Sequence, residues 1–176
     1  MTWTKKSSGL LVGVLLVVFA GLAIRQYQTV NVVGNRPIRE QFFAKNQLVK
    51  NASVNFSITN VKTKTVGNVR HVTVTMNLQQ LKPSHYGNMK GNRNIAQAMW
   101  LNVPYGFSNM STPMQHPDGR VFSRSEVDSP QQKTAVFNFT TRAGDYKLRN
   151  EPARLSILIP DNDRFTGFTK YSMLLG

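Results

Sequence analysis

Few side chains in this sequence can do chemistry. His71, His85 and His116 are its three histidines, eight acidic residues serve the whole chain, and cysteine is absent. Without cysteine there is no thiolate nucleophile and no thiolate-bound metal. His71 falls in the middle of an alternating stretch, on its polar face, as a solvated residue. His85 and His116 lie in two stretches rich in turn formers. Together with Asp118 they make a metal site only if those stretches converge. Glu126 and Asp128 have the residue types of an acid–base pair, but Arg124 beside them favours a surface turn. Asp161-Asn162-Asp163 has the flavour of a calcium loop, without the spaced ligands and closing glutamate. No zinc-protease helix, phosphate-binding loop or nucleophile elbow occurs. The expectation is a protein that is not an enzyme and has no catalytic residue, metal or cofactor.

Binding is a better use for these residues. His85, Tyr86, Met89, Lys90 and Arg93 stand in the stretch 82–98, and Met110, Met114, His116 and Arg120 in and around 108–119. Both combine adaptable apolar contacts with positive charge, as loops on a rigid scaffold do when they bind a partner. The competing role for the same loops is to cover an open sheet edge.

Charge points the same way. The chain carries 22 Lys and Arg against 8 Asp and Glu, a net charge of +14. Setting aside Lys5, Lys6 and Arg25 leaves 19 basic residues against 8, still +11. Such a surface attracts polyanions. The basic residues are spread along the chain without a cluster, so no specific nucleic-acid site is expected.

The elements that position these residues begin with an address. Lys5 and Lys6 precede an uncharged apolar run over 9–24, closed by Arg25. A basic flank before such a run keeps the N-terminus in the cytoplasm and sends the rest across. As a helix the run covers about 24 Å of a hydrocarbon core about 30 Å thick, and Tyr27 extends it to the interface. This predicts a basic cytoplasmic end at 1–8 and a signal-anchor at 9–27 in the lipid bilayer. The alternative is a signal peptide cut near Gly21-Leu22-Ala23. A tether then runs over 28–50. Asn35, Pro37 and Glu40 have the grammar of a helix start, which predicts a short helix near 37–45. Docking of Gln41-Phe42-Phe43 as a strand is the other reading.

From residue 51 the period is two. Ala52, Val54, Phe56 and Ile58 form one apolar face. Gly67-Asn68 turns the chain. Arg70, Val72, Val74, Met76 and Leu78 then alternate with polar partners over 69–80. Further strands are expected at 99–103 (continuing to 105–107), 120–123, 133–141, 154–160 and 167–176. With about seven strands and no helix pattern in 51–176, the expected fold is all-β: an immunoglobulin-like two-layer antiparallel sandwich, with a small barrel as rival.

The layout of membrane segment, tether, strand 52–61, turn and long strand 69–81, with a later strand at 133–141, resembles the telokin-like, immunoglobulin-fold domains of Gram-positive surface proteins. Asn77-Leu78-Gln79-Gln80 stands where that group places an Asn-containing turn. The resemblance implies an extracellular interaction domain and supplies no catalytic residues. The sequence thus predicts an extracytoplasmic binding module for an anionic envelope polymer or an envelope protein. A bitopic structural subunit of a secretion or conjugation complex is the alternative. Oligomeric state is not readable from the residues.

Overall fold

In the computed structural model the period-two runs become strands. It describes residues 5–34, 38–87, 89–104, 109–110, 112–148 and 151–175. The chain divides into two units, Met1–Pro37 and Ile38–Gly176.

The first unit contains helix α1 (Lys5–Gly34), whose side chains are described over 13–28. Val14, Leu16, Val17, Phe19, Leu22 and Ile24 are all more than half exposed. They point to every side, so the helix has no single apolar stripe. Among the described residues no helix is long and apolar enough to cross a membrane.

The second unit is a β-sandwich with ten strands among the described residues: β1 (Ile38–Phe42), β2 (Val49–Lys50), β3 (Val54–Val66), β4 (Val69–Gln80), β5 (Met99–Asn102), β6 (Asn109–Met110), β7 (Lys133–Arg142), β8 (Lys147–Leu148), β9 (Glu151–Pro160) and β10 (Phe168–Leu175). One sheet runs β1-β10-β9-β5-β6, with β8 paired to β9; the other runs β2-β3-β4-β7. Their inner faces make one core. Val54, Phe56, Ile58, Val72, Val74, Met76, Ala135, Phe137 and Phe139 come from the second sheet. Met99, Leu101, Ala153, Leu155, Ile157 and Tyr171 answer them from the first. Phe56 meets Phe43 and Tyr171 edge-on, with centroids 5.5 and 5.7 Å apart, which ties the layers together through aromatic contacts.

The local departures from expectation each have a physical cause. The segment near 37–45 follows the docked-strand reading and not the short helix: it is strand β1, parallel to β10, with Ile38 opposite Phe168 and Phe42 opposite Ser172. Glu40 holds it there. Its carboxylate accepts from Ser172 Oγ at 2.6 Å and pairs with Lys170 and Arg154 at 3.1 and 3.3 Å. The Ser172 bond, followed by these cations, keeps the carboxyl below its ordinary range against the opposing effect of burial. The expected cap at Asn35 and Pro37 and the continuation at 105–107 lie outside the described residues.

The first hairpin is longer than its apolar alternation suggests. A bulge between Ile58 and Asn60 shifts the register, so Val61 and Thr63 follow Ile58 on the inner face and the strand runs on to Val66. Gly67 takes φ +56° in the two-residue turn that follows, a conformation glycine adopts without strain.

The expected strand at 120–123 is replaced by an isolated bridge, Gln115 to Val121, and then by helix α2 (Arg124–Asp128). A capping box starts that helix: Ser123 Oγ accepts from Glu126 N, and the Glu126 carboxylate accepts from Ser123 N. The stretch 82–98 is not an open loop either. It is pinned by a bridge from Ser84 to Asn92, ends in a 3-10 turn at Ile95–Ala98, and buries Tyr86, Ile95, Ala96 and Ala98 in the core.

Candidate ligand-binding cleft

Where the inner face of the hairpin outlasts its apolar residues, the sandwich opens into a cleft. Past Val72 the face of β4 continues to Arg70, and that of β3 through Val61 and Thr63 to Thr65, which pairs with Arg70. The cleft, about 940 Å³, falls in the size range of small-molecule sites. Its apolar wall is Phe43, Val61, Tyr146, Met173 and Leu175, with Phe42 and Leu174 at the rim.

Each cation in the cleft is placed by a definite element. Lys45 sits in the turn after β1, which is closed by Ala44 N donating to Gln47 Oε1 and by Asn46 at φ +64°. Lys147 opens β8, after a turn that Ala143 N ties to Asn68 O. Arg70 enters from β4. Its Nη1 donates to Thr65 Oγ1 at 2.7 Å, and its guanidinium lies 4.8 Å from the centre of the Tyr146 ring. That is cation–π distance. The Arg70 Nε is buried and has no hydrogen-bond partner. Burial raises the Tyr146 phenol above its ordinary range, opposed by the charge of Arg70. No carboxylate lines the cleft among the described residues, and none pairs there with Lys45, Arg70 or Lys147 within 4.0 Å. Three cations thus line one partly apolar recess, and their summed charge gives it a positive potential.

The residues singled out from sequence have other places. Tyr86 is fully buried, its hydroxyl against the Gln80 amide. Met114 is also in the core, 4% exposed. His85 is half-buried with its ring 4.2 Å from that of Phe165, and its Nδ1 is buried without a partner. Met89 and Lys90 are exposed, while Arg93 Nη1 donates to Asp128 O at 2.8 Å. Met110 belongs to β6, and its side chain lies outside the described residues.

His116 stacks on Phe122 with centroids 3.7 Å apart. Its Nε2 meets Glu126 Oε1 at 3.1 Å, where Arg120 Nη1 also arrives at 3.3 Å. The structure thus gathers His116 and Arg120 around Glu126. No group of three or more His, Asp or Glu side chains could hold a metal ion among the described residues. Asp118 accepts from Arg120 N, Asp128 pairs with Arg124, Asp161 pairs with Arg39, and Asp163 pairs with Lys82. Thr112 and Gln115 cover the free edge of β7: Gln115 and Val136 exchange two backbone hydrogen bonds, and Thr112 N donates to Asn138 O.

The α2 corner gives a pH test. Hydrogen bonds from Ser123, and then the nearby Arg120, pull the Glu126 carboxyl down to about 2 from its ordinary 4.5. A depressed carboxyl contributes above its unfolded value and loses that contribution as pH falls through its folded one. The expected result is that amide signals of Ser123 and Glu126 move between about pH 4.5 and 2 while those of β4 and β9 hold. Nuclear magnetic resonance titration reads this; an unchanged Ser123 amide at pH 2 contradicts it.

Sequence reasoning missed the cleft. The one available signal was Arg70 standing at an apolar-face position in the 70–78 alternation.

No family model matches this sequence, and no curated protein matches it. Among solved structures it is similar to an uncharacterized β-sandwich protein from Clostridium difficile 630. The TM-score is 0.54 at 10% identity, and the match covers 80% of this chain and 97% of that one. At that identity the likeness shows a shared fold, the β-sandwich, and nothing of function.

Proposed function

We propose that this chain is a membrane-tethered, extracytoplasmic binding module of a bacterial cell envelope, and that its sandwich holds an anionic partner in the cleft at Arg70. The observation that carries the reading is the set of Arg70, Lys45 and Lys147 lining one cleft with no carboxylate among its described lining residues. The tether rests on the apolar run 9–24 behind Lys5 and Lys6, and on the exposure of Val14 to Ile24 around α1. The order β10-β9-β5-β6 supports placing the sandwich with the immunoglobulin type, whose GFC sheet is extended by C′. The likeness to telokin-like domains of Gram-positive surface proteins stands on the same layout.

The test is binding of poly(glycerol phosphate), an anionic envelope-type polymer, to the Ile38–Gly176 part. That part holds every described strand and the whole core, so it has what it needs to fold. Binding is expected to weaken steeply with salt, since charge pairs drive it. Arg70→Glu is expected to weaken it by about tenfold or more, the value of a charged hydrogen bond. Equal binding by Arg70→Glu and the parent protein, with equal melting midpoints, rules the cleft out as the anion site. Loss of binding in both rules out the reading.

A further inference from the structure

We infer that the partner of this cleft is an acidic, extended segment of another protein, which binds by adding a strand to the bare edge of β3. The inference rests on the binding reading above and narrows it to a peptide. A sheet edge is a row of unpaired N–H and C=O groups, and sandwiches shield such rows. Here the β7 edge is shielded by Thr112 and Gln115. The β3 edge is shielded only at its start. There β2 pairs Val49 with Phe56 and Lys50 with Asn55, and Asn46 N donates to Ile58 O. Over residues 60–66 no strand, bridge or turn pairs with β3 on the side away from β4, among the described residues. The first sheet is also incomplete beside the cleft. β1 follows β10 as far as Ser172, where Phe43 N donates to Ser172 O, and 173–175 then has only β9 beside it among the described residues. Val61 and Thr63 from β3, and Met173, Leu174 and Leu175 from β10, all line the cleft. Two strand edges without partners therefore border it.

Residues 60–66 extend about 23 Å, the length of an ordinary strand. A peptide laid along them gains main-chain hydrogen bonds at alternate residues and turns its side chains to the two faces of the sheet in turn. Cations stand on both faces. Val61 and Thr63 share the cleft with Lys45, Arg70 and Lys147. Lys62 and Lys64 alternate with them onto the opposite face. Both are exposed, with no carboxylate within 4.0 Å among the described residues. Apolar contact is offered at the rim by Phe42 and Leu174, each more than half exposed. Charge and apolar surface interleave here, with Lys147 next to Tyr146 and Lys45 two residues after Phe43, which suits the mixed side chains of a peptide. Lys62 and Lys64 also select the partner. They repel the same edge of a second copy and attract an acidic strand.

The experiment titrates the Ile38–Gly176 part with an acetylated, amidated heptapeptide of Glu and Val, read by calorimetry. A Lys and Val peptide of the same length tests the charge. The acidic peptide N-methylated at every amide keeps its charge and loses its backbone donors, so it tests strand addition. Both controls should bind about tenfold or more weakly. Lys62→Glu combined with Lys64→Glu should weaken the acidic peptide about tenfold and leave the melting midpoint unchanged, since both side chains are exposed. Nuclear magnetic resonance should show slower exchange, with the acidic peptide bound, at the alternate amides of 60–66 that point away from β4. The amides of the β7 edge should be unaffected.

Equal binding of the N-methylated peptide overturns the inference, because charge alone then holds the ligand; this arm needs no variant. Unchanged exchange over 60–66 overturns it as well. Poly(glycerol phosphate) binding that needs Arg70, with no binding of the acidic peptide, leaves the anion reading standing and removes this one. Failure of both probes removes both.

Discussion

Tyr86→Ala should cost this fold about 3–5 kcal/mol, the range for removing a buried aromatic ring. Tyr86 is 0% exposed, although it comes from the stretch 82–98, where turn formers dominate. Its ring joins Ile95, Ala96 and Ala98 in closing one part of the core. Its hydroxyl donates to Gln80 Oε1 at 3.3 Å, and Gln80 Nε2 in turn donates to Ser53 O and Lys82 O. Loss of the ring therefore opens a void and releases the segment from Ser84 to Asn92. Calorimetry should show a melting midpoint lower by about 10 °C or more.

Tyr86→Phe separates ring from hydroxyl and should cost about 1 kcal/mol. It also changes the alkaline limb. Burial raises the Tyr86 phenol above its ordinary value near 10, because the ionised form is disfavoured inside; Gln80 opposes this. A raised acid contributes stability that is fully present below the unfolded value. That contribution is lost as pH rises past 10 towards the folded value, because the unfolded chain ionises first. The Phe variant should fall less steeply above pH 10. Tyr146 keeps part of the slope, since burial raises it too. A Tyr86→Ala protein that melts with the parent would mean the ring is not in the core.

These residues show which parts of the architecture could be read in advance. Strand β4 was legible from Arg70 to Leu78 because one of its faces is packed and one is wet, and a period of two records that difference directly. The same holds for Ala135, Phe137 and Phe139 in β7. The β1 segment was legible only as the second reading, Gln41-Phe42-Phe43 docking as a strand, because its strand state is conferred by Phe168–Ser172 more than a hundred residues later, while Asn35, Pro37 and Glu40 speak locally for a helix. The bulge at Ile58 hid the inner-face positions of Val61 and Thr63, since one extra residue exchanges the two faces. Tyr86 was hidden for a different reason: a single buried ring has no period. Helix α2 did carry a signal, Ser123 with Glu126 three residues on, but five residues are too few for a helical stripe. The cleft assembles from β1, β3, β4, the β7–β8 turn and β10, so no linear motif records it. Its trace in the sequence is Arg70, a charge at an apolar position, and a charge at such a place calls for a partner.

Under the proposed tether, aspartate at both Val14 and Val17 should move the full chain out of carbonate-washed membranes. Both side chains are more than half exposed on α1, at 57 and 73%. The surface that surrounds them has no polar face to turn towards water: Val18 continues their own face, and Leu16 and Phe19, also exposed, lie on the far side of the same turns. An apolar helix exposed on all sides is unfavourable in water, and lipid relieves it. Each central aspartate opposes insertion by about 2.5–3.5 kcal/mol, or roughly a hundredfold in partition. Conservative changes such as Val14→Leu and Val17→Leu should leave the chain in the pellet. Lys5→Glu with Lys6→Glu should leave it in the pellet while weakening its orientation, because the basic flank decides which end crosses. Protease added to intact cells reads that second effect by cleavage of the Ile38–Gly176 unit. Recovery of the parent chain in the soluble fraction, with α1 uncut, removes the tether and the envelope reading with it. The argument is one of solvent choice: the sandwich buries its own apolar faces, whereas the run around Val17 has no such partner on its own helix.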